Sequence, residues 1–287
     1  MRTGLWLWHG LLLLALCFSG LVLLMPLLQV VQQGAGQLSA EFLLAAPRDA
    51  GRAGGIAPML VSTLWIVALA LALALPPALA GAVALNEMLD PESALAATLR
   101  TSLDVLAGVP SIVFGLFGLA FFCRQLGMGY SIAAGGATLA CMILPTLTRA
   151  LTSALQAVPG GPRLAGASLG LSKATVLWRV TVPLALPGMC AALMLALTRG
   201  LAETALLLFT SGYADRMPGS VWDSGRTVSV HIYDLATNVP GGTPRAYGSA
   251  LVLLLVLLLL SLLVHGFVGA LHRRAAGGTW FGFRRTR

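Results

Sequence analysis

Charged residues are scarce in this sequence. Asp, Glu, Lys and Arg make up 10% of the 287 residues, and Lys173 is the single lysine among 18 cations. Soluble domains carry about 25% charged residues, so the composition excludes an ordinary water-soluble domain. Hydrophobic residues make up 57% of the chain and its mean hydropathy is +0.88, which indicates an integral membrane protein.

Cysteine and histidine are also few, and they are scattered. The four cysteines stand singly in apolar stretches, with no CxxC pair and no Cys/His cluster, which argues against a disulfide or a metal site. The four histidines form no pattern with a nucleophile, so an intramembrane enzyme is disfavoured. The sequence contains no G-x-x-x-x-G-K-[ST] phosphate-binding loop. If ATP drives the protein, another polypeptide must bind that nucleotide.

Six apolar runs are long enough to cross a hydrocarbon core of about 30 Å. They are Leu5–Leu28, Met59–Leu85, Ser102–Leu126, Ile132–Leu155, Leu184–Thr210 and Tyr247–Leu271. The sequence therefore predicts an all-α polytopic membrane helix bundle, with one domain over 1–287, a first span at 5–28 and a core of five spans over 59–271. The first run has full span length, which favours an uncleaved helix over a signal peptide.

The cations are distributed unevenly between the links. If Met1 faces the cytoplasm, eleven cations lie in inside segments and six in outside segments, with Arg199 within a span. Because cytoplasmic links carry an excess of Lys and Arg, we expect both termini in the cytoplasm. This distribution accounts for the basic residues, so the net charge of +8 does not indicate nucleic-acid binding. We expect the basic cytoplasmic tail 272–287 to bind the lipid surface electrostatically.

Arg199 and Glu203 interrupt the fifth apolar run. If the run is one helix, the two side chains lie one turn apart on the same face. An ionised side chain at mid-bilayer costs about 2.5–3.5 kcal/mol and usually faces a protein interior or an aqueous path. The pair predicts a path for a polar solute, with Glu203 holding Arg199 when the path is empty. The alternatives are a structural ion pair and the ion relay of a secondary transporter, although no inverted repeat supports the latter.

The link 156–182 combines small and apolar residues with three cations. Pro162 can open a short helix that ends at Gly170, and Ser172 can cap a second helix that runs through Trp178 to Pro183. The link is too broken to span a membrane and too apolar for a solvated linker. Two interpretations remain open: a surface that docks onto a cytoplasmic partner, and an amphipathic helix that lies on lipid.

Prolines and small residues mark two further features. Pro76-Pro77 bends the second span, either as a static kink or as a flexible point at a gate. The stretch 106–118, LAGVPSIVFGLFG, combines small residues with Pro110. This composition predicts close helix packing and a break or bend at the entry to the third span.

The link 156–182 resembles the coupling loop of ABC importer permeases. That family pattern is Glu-Ala-Ala, three residues, Gly, nine residues and then Ile-x-Leu-Pro. The chain matches the spacing with Leu164-Ala165-Gly166, then Gly170, then Val180-Thr181-Val182-Pro183. Leu164 stands where the family has glutamate, and Gly166 stands where it has the second alanine.

Other segments narrow the resemblance to phosphate-specific importer permeases of the PstA type, over most of the chain from Gly54 to Arg274. The matching segments are GGIAP at 54–58 with STL at 62–64, LAGVPSIVFGLF at 106–117, Arg149 after Leu-Pro at 144–145, RGLAETA at 199–205 and HIY at 231–233. Ala202 stands where the family has glycine, and Leu206 where it often has proline.

The resemblance implies roles for particular residues. Arg149 and Arg199 would meet phosphate in the translocation path, with Glu203 as the partner of an arginine. For Arg149, snorkelling at the cytoplasmic membrane edge is the alternative. The contacts that couple the chain to an ATPase would come from Arg163, Leu164, Ala165, Gly166, Gly170, Lys173, Trp178 and Pro183.

The resemblance also implies an assembly. The chain would have the type I ABC importer permease fold, form half of the translocation path in the bacterial inner membrane, and bind no cofactor or metal itself. Its partners would be a second homologous permease subunit, two copies of a cytoplasmic ATP-binding subunit that uses ATP, an extracytoplasmic phosphate-binding protein and membrane lipid. The alternatives are another oxyanion, such as phosphonate, sulfate or molybdate, and a self-contained secondary transporter.

Overall fold

The structure, a computed structural model, describes residues 2–277, with side chains described at position 9 and over 11–270. Its helices are α1 Arg2–Ala35, α2 Ala40–Leu44, α3 Ala57–Val83, α4 Ala94–Gly108, α5 Ser111–Gly118, α6 Ile132–Gln156, α7 Gly160–Ser168, α8 Lys173–Val176, α9 Val182–Ala202, α10 Ala205–Leu208, α11 Val228–Thr237 and α12 Thr243–Gly277. The two-residue strands β1 Pro47–Arg48 and β2 Ala53–Gly54 pair antiparallel. The predicted all-α class is confirmed, with this small hairpin as an addition.

Three α-helices continue into π-helical turns. The π-helical turns Ala84–Met88 and Leu119–Gln125 extend α3 and α5, and Leu177–Thr181 joins α8 to α9. Five helices are long and apolar enough to cross a membrane within the described residues. They are Leu11–Ala35, Ala57–Met88, Ile132–Gln156, Lys173–Ala202 and Thr243–Ala270.

The remaining predicted span, 102–126, is wrong as a single straight helix. The structure places there the pair Ala94–Gly108 and Ser111–Gln125, bent by 94°. Val109 and Pro110 between them have extended backbone angles, with ψ of 130° and 141°. A proline disfavours helical angles in the residue before it and lacks the N–H that would continue the helix. Pro110 therefore breaks the span rather than bending its entry.

The centre of the bundle is built from α3, α6 and α9. Four alanines at every fourth position of α3 are fully buried, and they are Ala70, Ala74, Ala78 and Ala82. A Cβ added to Gly136 of α6 would lie 2.9 Å from Leu69, and one added to Gly81 of α3 would lie 3.1 Å from Thr148. These paired contacts show that α3 and α6 run parallel and that small residues allow their backbones to approach.

Helix α9 runs antiparallel to α6. Gly188 contacts Ala154 near the end of α6, and Gly200 contacts Leu139 near its beginning. The bundle therefore has one end that carries α7, called here the α7 end, and an opposite end that carries α11, called here the α11 end. The long helix α12 begins at the α11 end, where Gly34 of α1 packs on Tyr247.

The long connection 211–246 is folded at the α11 end. Thr227 caps α11 by accepting the Val230 N–H, and the Val228 N–H donates to the Thr63 hydroxyl of α3 at 2.9 Å. His231 and Leu235 on the same helix are buried. At the other terminus, residues 272–277 continue α12, and the rest of the predicted basic tail 272–287 lies outside the described residues.

Candidate functional site

Arg199 and Glu203 do not lie on one helix. The predicted run 184–210 divides at Glu203, where α9 ends with a ψ of 130° before α10 begins. A Glu203 carboxylate oxygen accepts the Leu206 N–H at 3.3 Å, and the Glu203 carbonyl accepts the Ser229 hydroxyl at 2.5 Å. Bonds at this break therefore fix Glu203, and the predicted Arg199–Glu203 ion pair is wrong.

Arg199 is exposed near the α11 end of α9. Within the described residues it takes part in none of the ion pairs and in none of the side-chain hydrogen bonds. Ala191, Leu195 and Ala202 are also exposed, and their spacing of three or four residues places them with Arg199 on one face of the helix. That face is exposed in the chain on its own, so the Arg199 guanidinium is accessible.

Arg149 has a carboxylate partner that was absent from the sequence analysis. Its Nη1 lies 3.1 Å from Oδ1 of Asp104 on α4, and the two side chains are 55% and 61% exposed. They line a cavity of about 220 Å³ together with Leu85, Arg100, Leu103, Thr152, Ser153 and Gln156. Asp104 lies within a predicted apolar span, so the reasoning applied to Arg199 should have identified it.

Arg149 and Arg199 are attached to the helices at different depths of the bundle. Gly188 of α9 contacts Ala154 of α6. Since the helices are antiparallel, Arg149, five residues before Ala154, is level with about the fifth residue after Gly188. Arg199 lies six residues farther along α9, which is about 9 Å at a rise of 1.5 Å per residue. Arg149 is therefore nearer the α7 end and Arg199 nearer the α11 end.

The predicted helices of the link 156–182 are present, with one correction. Helix α7 ends before Gly170, which has a φ of +72°, and the Ser172 hydroxyl accepts the Thr175 N–H at the start of α8. The second helix does not stop at Pro183. The Val182 N–H donates to the Leu177 carbonyl in a π-helical turn, so the helix continues into α9. Pro183 fits the first turn of α9 because proline has no N–H that would need an acceptor.

The candidate coupling residues fall into exposed and inward-facing groups. Leu164 is 70% exposed and Trp178 is 57% exposed. Ala165, Gly170, Lys173 and Pro183 are exposed as well. Gly166 is buried instead. A Cβ added at this position would lie 3.0 Å from the Val176 side chain of α8. Gly166 thus allows α7 to pack closely on α8.

Arg163 also faces inward, where it bonds to two neighbouring elements. Its Nη1 lies 2.9 Å from Oε1 of Glu87, in the π-helical turn after α3. Its Nη2 donates to the Leu155 carbonyl in the last turn of α6 at 2.8 Å. The Glu87 oxygen also accepts from the Asn86 amide at 2.7 Å. Arg163 therefore joins α7 to the ends of both α3 and α6.

A fourth arginine, Arg226, is buried at the α11 end. Its Nη1 donates to Asp234 of α11 at 2.8 Å, and its Nη2 lies 3.7 Å from Asp215. The neighbouring His231 is 1% exposed. Burial, assisted by the positive charge of Arg226 and opposed by Asp234 and Asp215, lowers the pKa of His231 to about 4. Sequence reasoning assigned no role to Arg226.

The sequence profile of a protein family described as the binding-protein-dependent transport system inner membrane component matches residues 78–277. This chain belongs to that family. The match covers α4 to α12, including the Arg149–Asp104 pair, Arg199 and the whole of α7. The permease is accordingly a multi-pass inner membrane protein and a component of an ABC importer.

Curated relatives share between about a quarter and two fifths of their aligned residues with this permease. The probable ABC transporter permease protein YqgI of Bacillus subtilis (strain 168) is 29% identical over 248 residues, or 81% of this chain and 84% of that one. The phosphate transport system permease protein PstA 1 of Mycobacterium tuberculosis (strain CDC 1551 / Oshkosh) is 34% identical over 212 residues, or 73% and 69%. The PstA homolog of Mycoplasma pneumoniae is 37% identical over 180 residues, and this chain spans 28% of its length.

Solved structures confirm the predicted fold. One chain of a bacterial alginate ABC transporter, in complex with a periplasmic protein that carries an alginate pentasaccharide, has a TM-score of 0.65 at 14% identity, covering 94% of this chain and 95% of that one. A chain of the inward-facing MetNI methionine ABC transporter has a TM-score of 0.58 at 18% identity, covering 76% and 94%. The permease thus has the type I ABC importer permease fold.

Proposed function

We propose that this permease forms half of the translocation path of an ATP-driven importer for inorganic phosphate. Several relatives that match it carry the name phosphate transport system permease protein PstA. Family membership supports a separate ATPase and an extracytoplasmic binding protein as partners. In this proposal the second permease is homologous, the ATP-binding subunit is present in two copies, and this chain binds no cofactor itself.

The observation that carries this proposal is the presence of two accessible guanidinium groups at two depths of an apolar bundle. Arg199 is exposed near the α11 end, and Arg149 is more than half exposed nearer the α7 end. A guanidinium group presents paired N–H donors that suit phosphate oxygens. An anion that enters from the α11 end would therefore meet Arg199 first and Arg149 next.

Asp104 takes over the competing role that the sequence analysis gave to Glu203. Its carboxylate holds Arg149 at 3.1 Å, whereas Glu203 is bonded to backbone and hydroxyl groups of its own region. A passing phosphate must displace Asp104 from Arg149, and the returning carboxylate then favours release. In this proposal the exposed pair faces the aqueous path, so its interaction is weak enough, at about 1 kcal/mol or less, to be exchanged during transport.

The α7 end supplies the proposed surface for the ATPase. Leu164, Leu169 and Trp178 expose 57–79% of their surface on the link between α6 and α9, and burying such side chains against a protein partner is favourable. We propose that this end and both termini face the cytoplasm, as the cation distribution predicts. The interfacial helix on lipid remains the alternative for α7.

Uptake of radiolabelled phosphate into vesicles that contain the full complex tests the function. Arg199→Gln should reduce ATP-dependent uptake at least a hundredfold while the complex still assembles, because it removes the charge and leaves a shorter, polar side chain. Arg124→Gln is the matched control, since Arg124 is an exposed arginine at the same end of the bundle and should retain at least half of the wild-type uptake.

Three results would contradict the proposal. Uptake of sulfate or molybdate in place of phosphate would show that the path carries another oxyanion. Phosphate uptake without ATP or an ATPase subunit would favour a secondary transporter. An uptake rate equal to wild type in the Arg199→Gln variant would show that Arg199 has no role in the path.

A further inference from the structure

The bonds of Arg163 single it out from the other residues of the coupling link. Leu164 and Ala165, which follow it on α7, are exposed, whereas the Arg163 side chain is 26% exposed and its partner Glu87 is 27% exposed. Both Nη atoms have partners within the chain at 2.8–2.9 Å. Both terminal nitrogens of Arg163 therefore bond to groups of the chain itself, although the residue lies at the start of the docking helix.

The two bonds of Arg163 join α7 to the helix pair at the centre of the bundle. Glu87 belongs to the π-helical turn that extends α3, and Leu155 lies in the last turn of α6. The Leu155 carbonyl is one of the last acceptors of α6, and it also accepts the Val158 N–H at 3.4 Å. Arg163 supplies a charge-assisted donor to it, and this bond is stronger than one from a neutral group.

At its other end α7 is fixed to a different element. Gly166 packs against Val176 of α8, and the Leu171 N–H donates to the Gly166 carbonyl at 3.2 Å. Since α8 continues into α9 through the π-helical turn Leu177–Thr181, this contact leads to the helix that carries Arg199. A displacement of α7 thus reaches α9 through α8, and it reaches α3 through Arg163. Arg163 also adds a side-chain bond to α6 beside the backbone link 157–159.

We propose that the Arg163–Glu87 ion pair is the link through which movement of α7 reaches α3 and α6, and that Arg163 is a positioning residue rather than a contact to the ATPase. The proposal rests on the proposed function in assuming that α7 docks on an ATPase subunit. Glu87 acts together with Arg163, so removing either charge breaks the same link. A direct contact of Arg163 with the ATPase would instead make Arg163 important and Glu87 dispensable.

The test uses the full transporter complex with Glu87→Gln, Arg163→Met and the double variant. The measured quantity is phosphate taken up per ATP hydrolysed. Each single variant should lower this ratio at least fivefold while ATP hydrolysis stays within twofold of wild type, and the double variant should be no worse than either single one. The control is Asp49→Asn with Arg52→Met, which removes an exposed 2.6 Å ion pair at the α11 end and should leave the ratio unchanged.

Two results overturn the proposal directly. One is an unchanged ratio in Glu87→Gln together with a reduced ratio in Arg163→Met, which indicates direct contact with the ATPase. The other is an unchanged ratio in both variants.

A second measurement tests the role of the ion pair independently of which substrate is transported. Amide hydrogen exchange over Gly160–Ser168 should accelerate at least fivefold in both single variants of the purified chain, because α7 loses its attachment to α3 and α6. Unchanged exchange would overturn the positioning role. If wild-type vesicles show no ATP-driven phosphate uptake, the proposed function fails, and the exchange measurement still decides whether the pair holds α7.

Discussion

At the scale of single residues, the neighbours of each arginine decide what it can do. Arg226 is buried, and its carboxylate partners Asp234 and Asp215 are 18% and 57% exposed. The pair with Asp234 matters for the fold because the buried guanidinium would otherwise lose its closest compensating charge. Arg149 shares an exposed pair with Asp104, and Arg199 is exposed with no carboxylate partner in the described part of the chain. The structural ion pair considered for Arg199 therefore exists at Arg226 instead.

The role of Asp104 leads to a prediction about turnover. Asp104→Asn removes the charge that competes for Arg149, so phosphate should leave Arg149 more slowly. We expect the maximal rate of phosphate uptake to fall about fivefold, in line with an exposed ion pair of about 1 kcal/mol, while the apparent KM does not rise. Steady-state uptake kinetics check this, with Asp49→Asn as control. An unchanged maximal rate would contradict the competing role.

The buried His231 leads to a prediction about pH. Its pKa of about 4 in the folded protein lies below the value of about 6.5 expected for the unfolded chain, so between these values the unfolded state binds more protons. Stability should therefore be constant above about pH 6.5 and fall by about 3 kcal/mol as the pH decreases to 4. Thermal unfolding in detergent between pH 4 and 7.5 measures this fall.

A matched pair of histidine variants tests the assignment. His231→Asn should flatten this part of the pH dependence, since the group that titrates is gone. His265→Asn, at an exposed position of α12, should keep the dependence because His231 stays in place. A fall of the same size in His231→Asn would assign the effect to another group.

At the scale of elements, the end of α7 depends on one backbone conformation. Gly170 has a φ of +72°, and an added Cβ would meet nothing within 4 Å. Replacement of Gly170 therefore acts through backbone strain rather than through a clash, and a β-branched residue is strongly disfavoured in this left-handed region. We expect Gly170→Val to fray the end of α7 and lower phosphate uptake per ATP hydrolysed severalfold.

Gly170→Asn is the matched variant, because asparagine adopts the left-handed conformation more readily than other non-glycine residues. It should keep the ratio of uptake to hydrolysis within twofold of wild type. Equal effects of Val and Asn would show that the side chain, rather than the backbone, matters at this position.

At the scale of the whole molecule, the bundle leaves much of its apolar surface uncovered by the chain itself. None of the apolar stretch of α1 is buried within the chain, and the buried share of the apolar stretch is 11% in α12 and 61% in α6. Helices exposed to this extent must contact lipid or another subunit, because apolar surface in water is unfavourable. The architecture thus has a packed centre and a periphery open to lipid or to another subunit.

The orientation in the membrane provides a prediction at this scale. In a variant without native cysteines, Ser168→Cys on α7 should react with an impermeant maleimide only from the cytoplasmic side, and Thr237→Cys on α11 only from the opposite side. Both native residues are exposed, so labelling should be efficient. Reversed labelling would invert the orientation and place α7 out of reach of a cytoplasmic ATPase.

Long apolar segments could be predicted from the sequence because hydropathy is a sum over many residues. The spans Ile132–Gln156 and Ala57–Met88 agree with prediction to within a few residues, and Ser172 and Gly170 mark helix boundaries as their local chemistry requires. Pro110 also marks a break through its own chemistry, although the 94° bend there was not predicted. The break at Glu203 was not predicted, and contacts of distant residues help to fix it, such as the hydroxyl of Ser229 that bonds to the Glu203 carbonyl.

The amino-acid sequence alone determined that this chain is a membrane helix bundle with arginines inside its spans, because composition and periodicity set how much apolar surface each helix must bury. Only the tertiary structure decided which carboxylate each arginine meets. Asp104 is 45 positions from Arg149, and Glu87 is 76 positions from Arg163. Such pairs form when packing brings separate helices to the same depth, and hydropathy along one helix carries no information about that depth.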